Sequence, residues 1–412
     1  MKKSYFKILL AFAPLIASAQ SKSLTIDDAV AFGLKNNPGV RAATEAIAYQ
    51  KQLKKTSYEL PKTSLTFMGG QYNGLAQDNN FTVMQSIPFP SVFSTKAALS
   101  NSLVKSSEAR KSVTENELTL HIKTTCHRLL HNREQNNLLR QQDSLFTGLA
   151  KTATRKLQAG EGTLLEQSKA LAQQNEVKNL LARNQVDKLI YESQLQALLN
   201  TGNVLNIEQT SFAALDFPPF GDSNLMENNA NLQLMKHQVE AAENLKRVDR
   251  ALVMPDLTFG YFNQSLTGFQ KVNGQDQYFD RHKRFTGFMV GLSLPLWIGP
   301  QVARVRAAEQ NRLATQSEYQ QTRINWLART REAYQQAVKF KNSINYYQTA
   351  GLPMAEVMQQ QALKSFKQGE IGFTEFLFTN NQALNIKEGY WQALLDYNLS
   401  IIQLEFLTAQ KN

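Results

Sequence analysis

Proline is absent from Ser91 to Phe217, and from Gln301 to Asn412 it occurs only at Pro353. Both stretches are rich in Leu, Ala, Gln, Lys, Glu and Arg, which are good helix formers. A helix from about Ser94 to Leu157 would run on the order of 95 Å at 1.5 Å per residue. Runs of this length imply a coiled coil or a helical repeat rather than an ordinary globular helix. Leu118, Ile122 and Leu129, then Leu138 and Leu145, recur at near-heptad spacing, with the polar stretch "HNREQNN" (131–137) between them.

The chain repeats itself. "FTVMQSIPF" (81–89) matches "FMVGLSLPL" (288–296), "PKTSLTF" (61–67) matches "PDLTF" (255–259), and "LKNNPGV" (34–40) resembles "MENNANL" (226–232). "LQAGEGTLLEQ" (157–167) aligns with "KQGEIGFTEF" (367–376), placing Gly160 and Glu161 with Gly369 and Glu370. Matches in one order indicate an internal duplication, with copies over 20–215 and 216–412. Each copy reads helix, strand, strand, long helix, turn, long helix. Gly160 and Gly162 in the first phrase, and Gly369 and Gly372 in the second, break runs that are otherwise helical.

The strand segments alternate with period two. Phe288, Val290, Leu292, Leu294 and Leu296 share one face, opposite Met289, Gly291, Ser293 and Pro295; Leu257, Phe259 and Tyr261 alternate with Thr258 and Gly260. Periodicity alone leaves a soluble half-buried sheet and a membrane β-barrel both open. Four strands are too few to close a membrane barrel, which needs about eight, and an open sheet edge cannot stand in lipid. Strands that span a membrane here therefore require several chains to share one barrel.

Residues 1–19 read as a secretion signal: Lys2, Lys3 and Lys7, a short apolar core "ILLAFAPLIA", and "ASA" before Gln20. No cysteine follows the cleavage site, so lipid attachment there is not supported. Cys126 is the only cysteine, which excludes an intramolecular disulfide framework. No run of 18 apolar residues follows the leader. The net charge is +11, but the basic residues are scattered. The densest groups, "KRVDR" (246–250) and "RHKR" (281–284), read mainly as solvated surface, with anionic lipid head groups or loop contacts as alternatives. Export argues against nucleic acid.

Catalytic signatures are missing: there is no H-E-x-x-H, G-x-S-x-G, P-loop or dinucleotide fingerprint. "HIKTTCHRLLH" offers His121, Cys126, His127 and His131; His127 and His131 stand at i, i+4, a workable chelating pair, but Cys126 points elsewhere, and a full site would need ligands from another helix, where no partner cluster is visible. Met354 and Met358 share a face too, where core filling is the ordinary use. No catalytic site, metal site or cofactor is expected.

"LTIDDAVAFGLKNNPGV" (24–40), "QSIPFPSVFSTKAAL" (85–99), "LSLPLWIGPQVARVRAA" (292–308) and the two glycine phrases together resemble the outer membrane efflux proteins, the TolC-like exit ducts of tripartite pumps. The resemblance implies a mainly α fold with membrane β: a homotrimer whose 12-stranded outer membrane barrel, four strands per chain, continues into a periplasmic α-helical barrel. It implies a mixed equatorial region near 201–225 and the C-terminus. It makes Gly160, Glu161, Gly162, Gly369, Glu370 and Gly372 the helical-hairpin tips, where a periplasmic adaptor and an inner membrane pump would dock. It places Glu375, and Glu166 in the first copy, at the pore entrance. The family often carries a second acid three residues later; here Phe378 and Lys169 stand there, so Phe378 would narrow the pore by bulk. "FKQGEIGFTEFL" and "YNGLAQDNNFTVMQSIPFP" look similar to partners of heavy-metal pumps of the resistance-nodulation-division class, which makes metal cations the expected cargo. The alternatives are a duct for drugs or type I secretion, and a soluble periplasmic coiled-coil adaptor.

Overall fold

The computed structural model describes residues 23–203, 206–207, 211–217 and 228–408. The expected leader, most of the expected equatorial stretch 201–225 and the last four residues lie outside the described residues. The chain divides into two compact units: 1–37, 121–214 and 342–399 form the first, and 38–120, 215–341 and 400–412 the second. Each unit thus draws on both halves of the sequence.

In the second unit, strands β2 (Ser64–Gly70), β3 (Asp78–Ile87), β5 (Asp256–Ser265) and β8 (Arg284–Ser293) form an antiparallel sheet in the order β2-β3-β5-β8. Register puts Leu65, Val83, Tyr261 and Phe288 in one row and Phe259 and Val290 in a neighbouring one, all on one face. The opposite face carries Thr66, Thr82, Ser86, Thr258, Gly260 and Gly291 with some larger side chains. The ladders stop before Pro88 and Pro295, because proline has no N–H to donate. Leu294 and Leu296, expected on the strand face, therefore lie beyond β8, and β8 extends in the other direction to Arg284.

Helices adjoin one end of this sheet. Helix α2 (Pro38–Lys54) and a 3-10 turn (Lys55–Tyr58) precede β2, α3 (Pro90–Gln158) follows β3, α5 (Ala230–Ala251) precedes β5, and α6 (Gly299–Tyr346) follows β8. The other end carries the β2–β3 loop and a hairpin that the sequence reading lacked, β6 (Gly268–Val272) with β7 (Gln275–Phe279). Its two-residue turn has Asn273 at φ 54° and Gly274 at φ 82°, the left-handed pair that suits strand twist.

Packing in the second unit joins α5, α6 and the end of α8 (Phe373–Thr408): Leu232, Trp326, Ala333, Leu404 and Leu407 form a core. Trp326 Nε1 donates to the Leu407 carbonyl at 2.9 Å. The "KRVDR" group is more than solvated surface, because Lys246 reaches Glu309 at 2.6 Å and Arg312 binds Glu309 at 2.9 Å. These cations hold the Glu309 carboxyl down at about 2.

The first unit contains α1 (Ile26–Asn36), the rest of α3, α4 (Leu164–Leu199), α7 (Leu352–Gln368), most of α8, and a short parallel pair of β1 (Ser23–Leu24) and β4 (Asn206–Ile207). Thr25 opens α1 with a reciprocal capping box to Asp28. On α3 the buried stripe steps by four through Ile122, Cys126 and Leu130, so Leu129 leaves it. Four-residue ridges, not heptads, fit this contact. The stretch read as a polar gap is not solvated throughout: His131 and Asn132 are buried. Asn132 Nδ2 donates to the Asn184 carbonyl at 2.9 Å, and Asn184 Nδ2 returns a bond to the Asn132 carbonyl at 3.2 Å.

Pro353, the one proline of its run, sits behind a π turn, Tyr347–Gly351, that joins α6 to α7. The Leu352 N–H reaches back to the Tyr347 carbonyl, so the helix absorbs the missing donor in one widened turn.

Candidate functional site

The two glycine phrases fold the same way. After α3, the Gly160 N–H reaches the Leu157 carbonyl at 3.1 Å and the Glu161 N–H the Lys156 carbonyl at 2.8 Å. After α7, the Gly369 N–H reaches Phe366 at 3.2 Å and the Glu370 N–H reaches Ser365 at 2.9 Å. Both are Schellman caps. Gly160 at φ 77° and Gly369 at φ 78° take the left-handed position that a Cβ would strain.

The turns differ in how the next helix starts. Thr163 caps α4: its hydroxyl accepts from the Glu166 N–H at 3.1 Å, and its own N–H donates to the Glu166 carboxylate at 3.3 Å. Glu166 thus has a local structural use that the T-x-x-E spacing signals but the sequence reading did not use. The equivalent position before α8 is Gly372, which has no side chain to offer. Glu375 is exposed, and among the described residues its carboxylate has no hydrogen-bond or ion partner. Phe378 is 63% exposed, whereas Phe376 between them is fully buried. Lys169 donates to Thr374 Oγ1 at 2.9 Å, tying α4 to α8.

Behind the turns the two hairpins share one core. Ala150, Ala170, Ala362, Phe373 and Phe376 are buried together, and Phe366 stacks on Phe376 with ring centroids 4.9 Å apart. Small residues on α3, α4 and α7 let the helices approach the aromatic rings of α8. The glycine turns, Glu375 and Phe378 are therefore carried on a packed four-helix end.

His127 and His131 both pack on Phe212, at centroid distances of 6.1 and 6.3 Å, and Phe212 stacks on Trp391 at 6.2 Å. Asn398 Nδ2 donates to His127 Nδ1 at 3.3 Å and to the Ala213 carbonyl at 2.9 Å. Burial, with Lys123 adding to it, pushes the His127 imidazole down to about 4, and burial lowers His131 against the pull of Asp396. These groups anchor the segment 211–214 in the first unit. Among the described residues no group of three or more His, Cys, Asp or Glu could hold a metal ion.

In the second unit the apolar face of the sheet is bare. Phe288 is 85% exposed, Val290 74% and Phe67 72%. No described helix is long and apolar enough to cross a membrane. Alternation of bare apolar and small polar faces over strands of up to ten residues is the pattern of lipid-facing strands.

Residues 223–410 match the outer membrane efflux protein family. Among solved structures, the outer-membrane channel OprN superposes with a TM-score of 0.76 at 16% identity, covering 93% of this chain and 89% of its own. CusC superposes at 0.78 with 14% identity over 94% and 92%. VceC from Vibrio cholerae superposes at 0.76 with 15% identity over 93% and 95%. No curated protein matches the chain. The repeated order of long helices and strands and the bare apolar sheet face go with these findings: residues 223–410 match the outer membrane efflux protein family, and the chain shares the fold of these solved outer membrane channels.

Proposed function

We propose that this chain is the exit duct of a tripartite pump that expels heavy-metal cations. Three copies share a 12-stranded barrel, and the duct works with a periplasmic adaptor and an inner membrane pump of the resistance-nodulation-division class. The observation that carries the assembly is the four-stranded sheet, with one bare apolar face and with β2 and β8 each offering an edge unpaired among the described residues. Unpaired backbone in hydrocarbon costs several kcal/mol per group, so β2 of one copy pairs with β8 of the next. The metal cargo rests on the sequence similarity of the glycine phrase 366–377 and the stretch 72–90 to partners of metal pumps.

The glycine turns at 159–163 and 369–372 are the adaptor-facing tips, and three copies of Glu375 form the cation-attracting ring at the entrance. Glu375 takes this role over Glu166, whose carboxylate is engaged with the Thr163 N–H. Phe378, one turn further, narrows the same passage by bulk.

Native mass spectrometry of detergent-extracted protein tests the assembly: three chains are expected, and a single polypeptide overturns it. In reconstituted channels Glu375→Ala raises leak conductance and reduces cation preference, whereas Glu166→Ala changes neither. A deletion strain should lose tolerance to zinc, cobalt, copper or silver. Unchanged metal tolerance with new drug sensitivity would transfer the cargo to drugs and leave the duct standing.

A further inference from the structure

The basic group 281–284 is not one surface. Arg284 is locked: its guanidinium donates to the Asn79 and Asn263 side chains and to the Asn263 carbonyl at 2.8 Å. Asp280 organises the turn before it, its carboxylate accepting from the His282 N–H at 2.9 Å and the Lys283 N–H at 3.1 Å. Arg281, His282 and Lys283 are left exposed, and among the described residues none of the three side chains has an ion partner.

Their position relative to the apolar face is set by register. The row Leu65, Val83, Tyr261, Phe288 is apolar; the next is Phe67, Phe81, Asn263, Thr286; the one after it ends on Ser265 and Arg284. On β5 and β8 the apolar row therefore ends at Tyr261 and Phe288, and Asn263, Thr286, Ser265 and Arg284 lie between it and the turn. Beside the turn, Phe269 and Tyr278 face each other across β6 and β7 with ring centroids 5.3 Å apart, 74% and 59% exposed. Exposed aromatic rings at the rim of a lipid-facing band sit at head-group depth. The helices adjoin the opposite end of the sheet, so this end faces outward from the cell.

We propose that Arg281 and Lys283, flanked by Phe269 and Tyr278, form a docking surface for phosphate-bearing lipid head groups of the outer leaflet. Guanidinium and ammonium groups bind phosphate through charge-assisted hydrogen bonds. Lys271 stands opposite Asp276 in the hairpin register. Asp280 directs Oδ1 to the backbone of the turn, which holds the two cations out toward the head groups. The proposal rests on the lipid-facing role of the sheet and adds the lipid class and the residues that select it.

The test uses full-length, detergent-extracted and delipidated protein, with bound lipid read by native mass spectrometry. The probes are bisphosphorylated lipid A, phosphatidylcholine and inorganic phosphate. Wild type retains lipid A in preference to phosphatidylcholine. Arg281→Gln with Lys283→Gln weakens lipid A binding about thirtyfold, roughly fivefold per cation. The same loss of charge on α3, Arg140→Gln with Lys151→Gln, leaves it unchanged. Circular dichroism and melting temperature establish that both variants are folded. Equal lipid A binding by wild type and the 281/283 variant overturns the proposal, as does equal weakening by the α3 variant. Full competition by inorganic phosphate at matched phosphate concentration overturns the lipid source. Recovery of the wild type from the soluble fraction without detergent would instead remove the lipid-facing sheet itself, which keeps the two failures distinct.

Discussion

Acidification should loosen the segment 211–214 through His127. The imidazole is 2% exposed, and its Nδ1 accepts from Asn398, which also holds the Ala213 carbonyl. Protonation would set an N–H against the Asn398 amide in a buried site. The pKa lies at about 4 against the ordinary 6.5. The folded form thus takes up a proton less readily than the unfolded chain, so acid favours unfolding. The stabilisation is complete above about pH 6.5 and is lost progressively as pH falls through 4, where it reaches about 3 kcal/mol at most. Hydrogen exchange of peptides covering 211–217, corrected for the intrinsic pH dependence of exchange, should show opening on the order of a hundredfold more frequent at pH 4 than at pH 7.5. His131 adds a smaller term in the same direction. His127→Asn keeps an acceptor near Asn398 but does not titrate; it should be less stable at neutral pH and show a much smaller acid step. An undiminished acid step in this variant would refute the reasoning.

Three further outcomes follow from packing. A Cβ at Gly389 would run into the Tyr347 hydroxyl and stand 2.9 Å from its Cζ, so Gly389→Ala should cost about 1–3 kcal/mol, read as a lower melting temperature that Tyr347→Ala partly restores. Asn184→Ala removes the donor to the Asn132 carbonyl and the acceptor for Asn136; a loss of about 1–3 kcal/mol in denaturant unfolding is expected, and a neutral effect contradicts it. Cys126 is fully buried and its thiol is pushed up to about 12, so a maleimide at pH 7 should label it only after denaturation.

Much of the architecture was legible along the chain. The proline-free stretch became α3, 69 residues from Pro90 to Gln158, because nothing in it interrupts the backbone bonds. The glycine phrases became the two turns, since Gly160 and Gly369 alone supply the left-handed cap. The strands were legible as alternation, but their ends were misplaced where Pro88 and Pro295 stop the ladder. The β6–β7 hairpin was missed although Asn273-Gly274 signals it, because Gln, Lys and Asp in the flanking strands obscure the apolar period. Neither the Glu166 capping box nor the burial of Asn132 entered the sequence reading; the first had a local T-x-x-E signal.

Local rules operate over a few residues, and they are sufficient for helix continuity, left-handed turns and the face on which a strand side chain falls. By themselves they determined that this chain forms two pairs of long helices and a sheet with one apolar face. Which polar residues are tolerated inside was decided only in three dimensions. Asn132 meets Asn184 across 52 residues of chain, and His127 meets Asn398 across 271. A buried amide or imidazole is stable only when another segment supplies its partner, and that partner is chosen by packing, not by neighbouring sequence.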